Sequence, residues 1–533
     1  MDPRQENVGL VSIEEASCWA SEYTKKDVTK SNISYLIQYG RITKHVDASN
    51  KVVVSLDELK AYYDVTIMAK KDSWTARLGD DTNWFLSFDD VKEKDSTKHV
   101  HRLHPYKGKY IPQLVEYFLD GHVDEFKKHV FFKPGDVVGD LFCGSGTTLV
   151  QCGELGIHAI GVDISAFNCM IVRAKIARHD LASLDARVSA VMRQVRARMA
   201  VGGIDALLKQ VRERVHEFNK VHFGDLEIKR RIASKEINED EYGSNAIATF
   251  IKENEALVEK LAKASPAIGR ERTFLETWFN AAILAELREF VTLIETEQDP
   301  LVHDLLAITL TRAARACRST KHFDLATLKE PQLLPYYCYK HKKLCLPVES
   351  SAGRFKRYLS DAVARIKAYD ALRKDVELEV VHGDSRDVDL LAAMRIQNPR
   401  LFSLLEGRLA DGIFCSPPYV GNIDYHEQHA YAYELLKLPR RDEAEIGPSF
   451  KGTTVKAKAE YVAAMAAAFK NICKFLKPDC DVFVVANDKY HLYPGIAEKA
   501  GLSIVEQFKR PVLNRAERDR QPYAEIIFHM KRA

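Results

Sequence analysis

Short apolar runs, two to seven residues long, recur through the chain. Those at Val137-Val138, Ala159–Asp163, Val376–Val381, Asp411–Cys415, Asp481–Ala486, Leu502–Glu506 and Tyr523–His529 predict seven short strands. The first is followed by a glycine-rich turn and a helix that starts near Thr147. A further helix is predicted from Gln113 to Leu119. Between Asp163 and Val376 the period changes. Some two hundred residues carry helical spacing, clearest at Ala186–Met199, Leu207–Phe218, Phe274–Ile294 and Leu301–Ala316.

The first sixty-odd residues follow a separate pattern. Ser12-Ile-Glu-Glu15 is a capping box opening a helix, with Ser12 as cap and Glu15 reaching back. A second helical run extends from Ser31 to Tyr39 and is stopped by Gly40. Lys51–Ser55 is β-rich, and Ser55-Leu-Asp-Glu58 caps a last helix through Tyr63. Helix, helix, short β-wing, helix is the order of a winged helix-turn-helix. The strings ISYLIQYGRI and KVVVSLDELKAYYD resemble excisionase-like and MerR-like DNA-binding modules. That resemblance implies that Lys30, Ser31, Asn32 and Tyr35 lie on the groove-facing helix. A small helical packing domain is the other reading of the same pattern.

At 533 residues the chain exceeds one ordinary core, so several domains are expected. The boundaries read are 1–69 for the small module, 100–170 and 375–533 for the two halves of the seven-stranded unit, and 171–374 for a helical insertion between them. Apolar residues at 46% and charged residues at 29% place the chain among soluble globular proteins. A net charge of +3 does not by itself announce a polyanionic partner, so any basic surface must arise by local segregation. No run approaches the roughly 18 apolar residues of a membrane span, and the opening MDPRQENVG is no signal peptide. Ten cysteines in so long a chain make no disulfide framework, which favours a reducing, cytoplasmic setting.

Two loops carry candidate chemistry. After the first strand, Gly139-Asp-Leu-Phe-Cys-Gly-Ser-Gly-Thr-Thr148 lets the backbone approach a ligand at Gly144 and Gly146 and offers the free N–H groups of a helix start. Ala159–Asp163 then ends in a carboxylate able to hold both hydroxyls of a ribose. The standard GxGxxG spacing is absent. After the fourth strand come Ser416, Pro417, Pro418 and Tyr419. Two successive prolines cannot continue a ladder or enter a helix interior, so this loop is stiff and extended. It presents a hydroxyl, carbonyls and an aromatic ring, a set that accepts hydrogen bonds from a planar amine while stacking on the ring bearing it.

DLFCGSGTT resembles the S-adenosylmethionine motif of the DNA amino-methyltransferases, and SPPY resembles the catalytic tetrapeptide of their cytosine-N4 branch. The resemblance covers about residues 100–170 and 375–533. It implies an α/β class I methyltransferase, a Rossmann-like seven-stranded sheet, ending in an antiparallel hairpin joined by the arginine-rich Arg510–Arg520. S-adenosylmethionine is the implied cofactor, held by Asp140, Phe142, Gly144, Ser145, Gly146, Thr147, Thr148, Asp163 and Asp384. His104-Pro-Tyr-Lys-Gly-Lys-Tyr resembles the segment closing over the methionine end, which assigns His104 and Lys107 to its carboxylate. Ser416, Pro417, Pro418 and Tyr419 are the implied catalytic residues. The order of the parts resembles the α arrangement, with target recognition in the insertion.

The implied substrate is a flipped cytosine in double-stranded DNA in a prokaryotic nucleoid, with a cognate restriction endonuclease as partner. Adenine-N6 methylation, methylation of an RNA base amine and a non-catalytic DNA-binding regulator stay open. Arg312, Arg315, Arg318, Ser319, Thr320 and Lys321 crowd one helix end and suit phosphate contacts. The arginines of 187–214 are expected on solvated helix faces. Cys338, His341 and Cys345 provide three of the four ligands of a structural zinc. With the fourth not evident, they are read as part of a basic loop and no metal is assigned.

Overall fold

The computed structural model describes residues 9–24, 28–38, 40–64, 74, 76–79, 81–88, 91–199, 205–263, 273–324, 328–347, 350–512 and 522–533. The arginine-rich stretch 513–520, the end of the second helix at Tyr39 and the boundary at 69 lie outside them.

The N-terminal elements follow the expected order, preceded by a strand the sequence pattern did not mark. Strands β1 (Leu10–Ser12), β2 (His45–Val46) and β3 (Val52–Ser55) form an antiparallel sheet ordered β1-β3-β2. The helices are Ile13–Thr24, Lys30–Gln38 and Leu56–Tyr63. The capping box forms as written, Ser12 N–H donating to Glu15 Oε2 at 2.9 Å and Glu15 N–H to Ser12 Oγ at 3.2 Å. Ser55 accepts the N–H of Glu58. Ala16, Ala20, Ile33, Ile37, Val54 and Leu59 make a core of their own. Gly40 lies against the backbone of Lys229 in the insertion.

The main sheet comprises β4 (Val137–Asp140), β5 (His158–Asp163), β8 (Leu378–His382), β9 (Ala410–Cys415), β10 (Leu476–Ala486), β11 (Leu502–Pro511) and β12 (Ala524–Arg532). Its order is β11-β12-β10-β9-β4-β5-β8. The five strands from β10 to β8 run parallel, and β12 is antiparallel to both of its neighbours. The seven runs therefore become seven strands, and the last two pair as the expected hairpin. Parallel strands are buried on both faces, which is why their sequences are continuous apolar runs rather than alternating ones. In β10, Val482 and Val484 pack into one core while Phe483 and Val485 pack into the other.

One of those faces is covered by the insertion itself. Leu287 and Phe290 of the helix Ala281–Ile294, Leu306 of Pro300–Ala316 and Phe355 of Ser351–Asp370 share a core with Val138 and Phe414 of the sheet. The run expected as one helix from Phe274 to Ile294 is two, Phe274–Trp278 and Ala281–Ile294. Phe279 is extended, and the Asn280 side chain accepts the N–H of Ala282 to start the second helix. A two-stranded hairpin, β6 (Tyr336–Cys338) and β7 (Lys343–Cys345), stands apart from the main sheet. Exposed Arg187, Arg198 and Arg214 pair with glutamates, as a solvated face does. No helix among the described residues is long and apolar enough to cross a membrane.

All parallel strands end at one edge, and the chain crosses over on opposite sides of β4. The crevice at such a switch point is where open α/β sheets hold ligands. The turn leaving β4 passes through Gly144 at φ +48°. A Cβ there would stand 2.9 Å from the Tyr106 hydroxyl. Gly144→Ala is therefore expected to lower stability by about 1–3 kcal/mol, from left-handed strain and displacement of Tyr106. Gly121 has no positive φ and nothing within 4 Å of its would-be Cβ. Gly121→Ala should stay within about 0.5 kcal/mol of the parent in the same urea titration.

Candidate active site

Four loops leave the carboxyl ends of β4, β5, β8 and β9 and enclose one pocket. Its wall includes Phe142, Gly144, Ser145 and Thr147 after β4, Asp163 at the end of β5, Asp384 after β8, and Ser416 and Pro418 after β9. Eight residues singled out in the sequence thus meet across more than 270 positions.

Asp163 ties the first two loops together. It is 9% exposed. Its Oδ2 accepts the N–H of Gly144 at 2.8 Å, and its Oδ1 accepts the N–H of Ser165 at 2.8 Å and the amide of Asn168 at 3.1 Å. Burial pushes its carboxyl up to about 6, against the pull of those donors. Asp384 is shifted the other way. Burial opposes its charge, but Arg386 donates from Nε at 2.9 Å and Nη2 at 2.5 Å and holds it below the ordinary carboxylate range. Ser385 Oγ donates to the Leu141 carbonyl at 2.5 Å, fixing this loop to the turn after β4.

The loop after β9 is braced from outside the pocket. Tyr461 donates its hydroxyl to the Pro418 carbonyl at 2.9 Å, and its own oxygen stands 3.3 Å from that of Tyr493. The Pro418 carbonyl is thus already engaged, by a side chain 43 residues further along the chain. Tyr419 donates to Glu525 Oε1 at 2.9 Å, which anchors its ring to the last hairpin. Pro417 is buried, and neither it nor Tyr419 borders the pocket.

The remaining expected residues stand behind or beside this wall. Asp140 is buried beneath the turn and accepts Thr148 Oγ1 at 2.6 Å and the N–H of Phe142 at 3.1 Å. Burial raises it to about 7. Gly146 caps the helix Thr147–Leu155, and a Cβ there would press on Val172. His104 is fully buried, 3.3 Å from the Tyr431 hydroxyl and edge-on to Phe167, and burial keeps its imidazole neutral. It does not reach the pocket. Lys107 lines a neighbouring cleft instead. From the same segment Tyr106, Gly108 and Tyr110, every second residue, face the pocket together with Lys109. Lys109 donates to the His101 carbonyl at 2.6 Å, and burial lowers its ammonium to about 8.

Asn168, Tyr425 and Glu445 also line the pocket and carried no recognisable signal of their own. Glu445 accepts the N–H groups of Tyr425 at 3.1 Å and His426 at 2.8 Å, so it shapes the segment after the SPPY loop. Ser145 Oγ and Asn168 Oδ1 are buried on this wall without a hydrogen-bond partner. Unsatisfied buried polar atoms are costly, and here they face a space that a polar ligand fills. Glycine backbone, two acids, unsatisfied polar atoms and stacked rings together fit an adenosine bearing a charged tail.

The neighbouring cleft shares Tyr106 with the pocket and is bordered by Lys107, Trp278, Arg315, Arg318 and Asp424. Of the arginine cluster expected to meet phosphates, Arg312 is committed internally. It bonds Asp361 at 2.7 Å and lies 4.3 Å over the Tyr358 ring. Ser319 and Thr320 are buried. Arg315 borders the cleft, and Arg318, itself buried, donates Nε to the Arg315 carbonyl at 3.0 Å and lies 5.6 Å over the Tyr431 ring.

A family profile described as DNA methylase, of the N6/N4 kind, matches residues 19–173. The type II methyltransferase M.MjaII of Methanocaldococcus jannaschii is 44% identical over 525 residues, 98% of this chain and 97% of its own. The type II methyltransferase M.MvaI of Kocuria varians is 33% identical over 95 residues, 18% of this chain and 19% of its own. No solved structure matches the chain. Likeness end to end with M.MjaII, on a chain whose sheet ends gather the glycine turn and the SPPY loop at one pocket, makes this protein a member of the type II DNA methyltransferase family of restriction-modification systems.

Proposed function

We propose that the protein transfers a methyl group from S-adenosylmethionine to the exocyclic N4 amine of a cytosine turned out of duplex DNA. The observation that carries the reading is the position of Ser416 and Pro418 on the same pocket wall as Gly144, Asp163 and Asp384. Serine in the first position of the tetrapeptide favours cytosine over adenine. S-adenosylmethionine, when bound, supplies an electrophilic methyl group on a positively charged sulfur.

Cytosine's amine is conjugated with its ring and is a poor nucleophile. Ser416 Oγ accepts one amine hydrogen. The Pro418 carbonyl is taken by Tyr461, so the Pro417 carbonyl is assigned the other. Both bonds draw nitrogen toward sp³ geometry and free its lone pair, which would bond the methyl carbon as the carbon–sulfur bond breaks, and the methylated nitrogen would then give up its proton to water. Tyr419 stacks on the base. Asp163 holds the ribose hydroxyls, Asp384 lies by the adenine, and the turn from Phe142 to Thr147 cradles the rest, with Lys109 nearer to the pocket than Lys107 or His104. No covalent nucleophile is required. Cys143 and Cys415 are buried thiols whose pKa burial raises, so they stay protonated packing residues.

The amine cannot be reached inside a duplex, and flipping the base costs a few kcal/mol. The cleft beside Tyr106 is the proposed entry, with Lys107 and Arg315 facing phosphates and Trp278 offering a stacking surface. The N-terminal unit is proposed as a winged helix that adds duplex contacts, the insertion as the site of target recognition, and a nuclease of the same site as partner.

Ser416→Ala should cut turnover by about 10² or more while cofactor affinity stays nearly intact, as loss of one positioned hydrogen-bond partner in the transition state costs about 3 kcal/mol. Single-turnover methylation and calorimetry separate the two, and unchanged turnover removes Ser416 from the mechanism.

Cofactor binding should also depend on pH. Asp163 must be ionised to accept ribose hydroxyls, and in the free protein it titrates near 6. Affinity is then full above that pH and falls as pH drops through it, by up to about tenfold per unit. Asp163→Asn should bind weakly with a flattened acid limb. A flat wild-type profile contradicts the role.

Deleting residues 1–64 should leave the sheet folded and cofactor affinity unchanged, because the N-terminal unit has its own core. Duplex affinity should fall and its salt dependence flatten, as phosphate contacts are lost. Unchanged affinity and salt slope would make the unit a packing module.

A further inference from the structure

Three ligand-type residues of the sequence, Cys338, His341 and Cys345, acquire a fourth in the fold. His322 lies sixteen residues upstream, in the short helical turn His322–Asp324 that follows the arginine-bearing helix. One ligand atom from each of the four lies within 4.8 Å of every other. Cys338 Sγ is 3.7 Å from His322 Nδ1 and 3.4 Å from His341 Nδ1, and His341 Nδ1 is 3.4 Å from Cys345 Sγ.

Those separations discriminate between explanations. A zinc ion with Zn–S of about 2.3 Å and Zn–N of about 2.05 Å in tetrahedral geometry sets its sulfur and nitrogen ligands about 3.6 Å apart. The observed edges straddle that value. We infer that His322, Cys338, His341 and Cys345 bind one structural zinc ion, as a closed two-cysteine, two-histidine site with no position left for substrate. It is separate from the methyl-transfer pocket and rests on none of the assignments made there.

The local fold explains why a metal belongs here. β6 and β7 are three residues each, joined by a turn in which Lys342 takes φ +49°. An isolated two-stranded hairpin is marginal in water. Among the described residues, Tyr336, Cys338 and Cys345 on the hairpin's inner face form a small cluster apart from the main core, which Tyr337 and Leu344 join from the other face. Two of the three inner members are proposed ligands, so on this face a zinc ion takes the place of an apolar core. The other contacts hold the four groups in register. Tyr336 accepts the backbone N–H of His322 at 2.7 Å. Asn219 pairs with Leu344 like a strand edge, at 2.9 and 3.0 Å. On the far side Tyr337 donates to Glu239 at 3.1 Å and Tyr339 to Asp240 at 2.7 Å, which docks the hairpin on the helix Glu239–Glu253. The ion would thus clamp the hairpin to the turn that carries the chain away from Arg318.

Sequence alone left the site incomplete because His322 precedes Cys338 by fifteen intervening residues, while the other three follow as C-x2-H-x3-C. The test is metal content of the full-length chain, grown with zinc and purified without chelator, by plasma mass spectrometry. One zinc per chain is expected, falling to background in His322→Ala and in Cys345→Ser. Because either variant can fail to fold, the parent chain is also grown in cobalt. Tetrahedral d–d bands with a thiolate charge-transfer band support the site. Three results overturn it: a parent chain without stoichiometric metal or cobalt bands, zinc undiminished in both folded variants, or a Cys338–Cys345 disulfide in the non-reduced peptide map.

Discussion

The buried carboxylate of Asp163 holds the pocket in shape. It sits at the end of β5 and takes N–H donors from the glycine turn after β4, from Ser165 two residues on and from the Asn168 side chain. Removing such an acceptor would leave several buried donors unpaired, each at about 1–3 kcal/mol. The same group is destabilised as an anion by burial, and three hydrogen bonds offset that only in part. A carboxyl held this way is predisposed to take further donors, as a ribose offers. The pocket's geometry and its proposed chemistry thus depend on one side chain.

Much of this was legible because the sheet is parallel. Burial on both faces leaves unbroken apolar runs, so the five parallel strands stood out, and four of them, β4, β5, β8 and β9, end in residues that became the pocket wall. The turn Gly144-Ser-Gly146 and the Pro417-Pro418 loop were readable because few backbones tolerate them. Side chains whose role depends on packing direction were not. His104 and Tyr106 stand two residues apart in one loop, yet one is swallowed by Phe167 and Tyr431 and the other borders the pocket. The partner that engages the Pro418 carbonyl, Tyr461, comes from a distant helix and had no signal at all. His322 was missed for the same reason, since its distance along the chain conceals its proximity to Cys338.

The insertion divides its duties. Its later helices bury one face of the sheet, so they belong to the same core as β4 and β9. Glu434 of the catalytic half accepts the N–H groups of Phe274 and Leu275, both at 2.9 Å, and so fixes the helix that brings Trp278 to the cleft. Arg312 is spent on Asp361 and Tyr358 and Arg318 on the Arg315 carbonyl and the Tyr431 ring, while both Arg315 and Arg318 border the cleft. The cleft is therefore built by residues 105–107, the insertion and the segment after SPPY acting together. That arrangement suits a surface where a strand is gripped on one side while a base is delivered to the other.

The chemical identity of the methylated base decides the central claim. Duplex DNA methylated to completion by the full chain, digested to nucleosides and separated by chromatography with mass detection, reports it directly. The account predicts N4-methylcytosine and no other methylated nucleoside. N6-methyladenine would contradict the assignment of the Ser416 loop to cytosine, and 5-methylcytosine would contradict amine attack altogether.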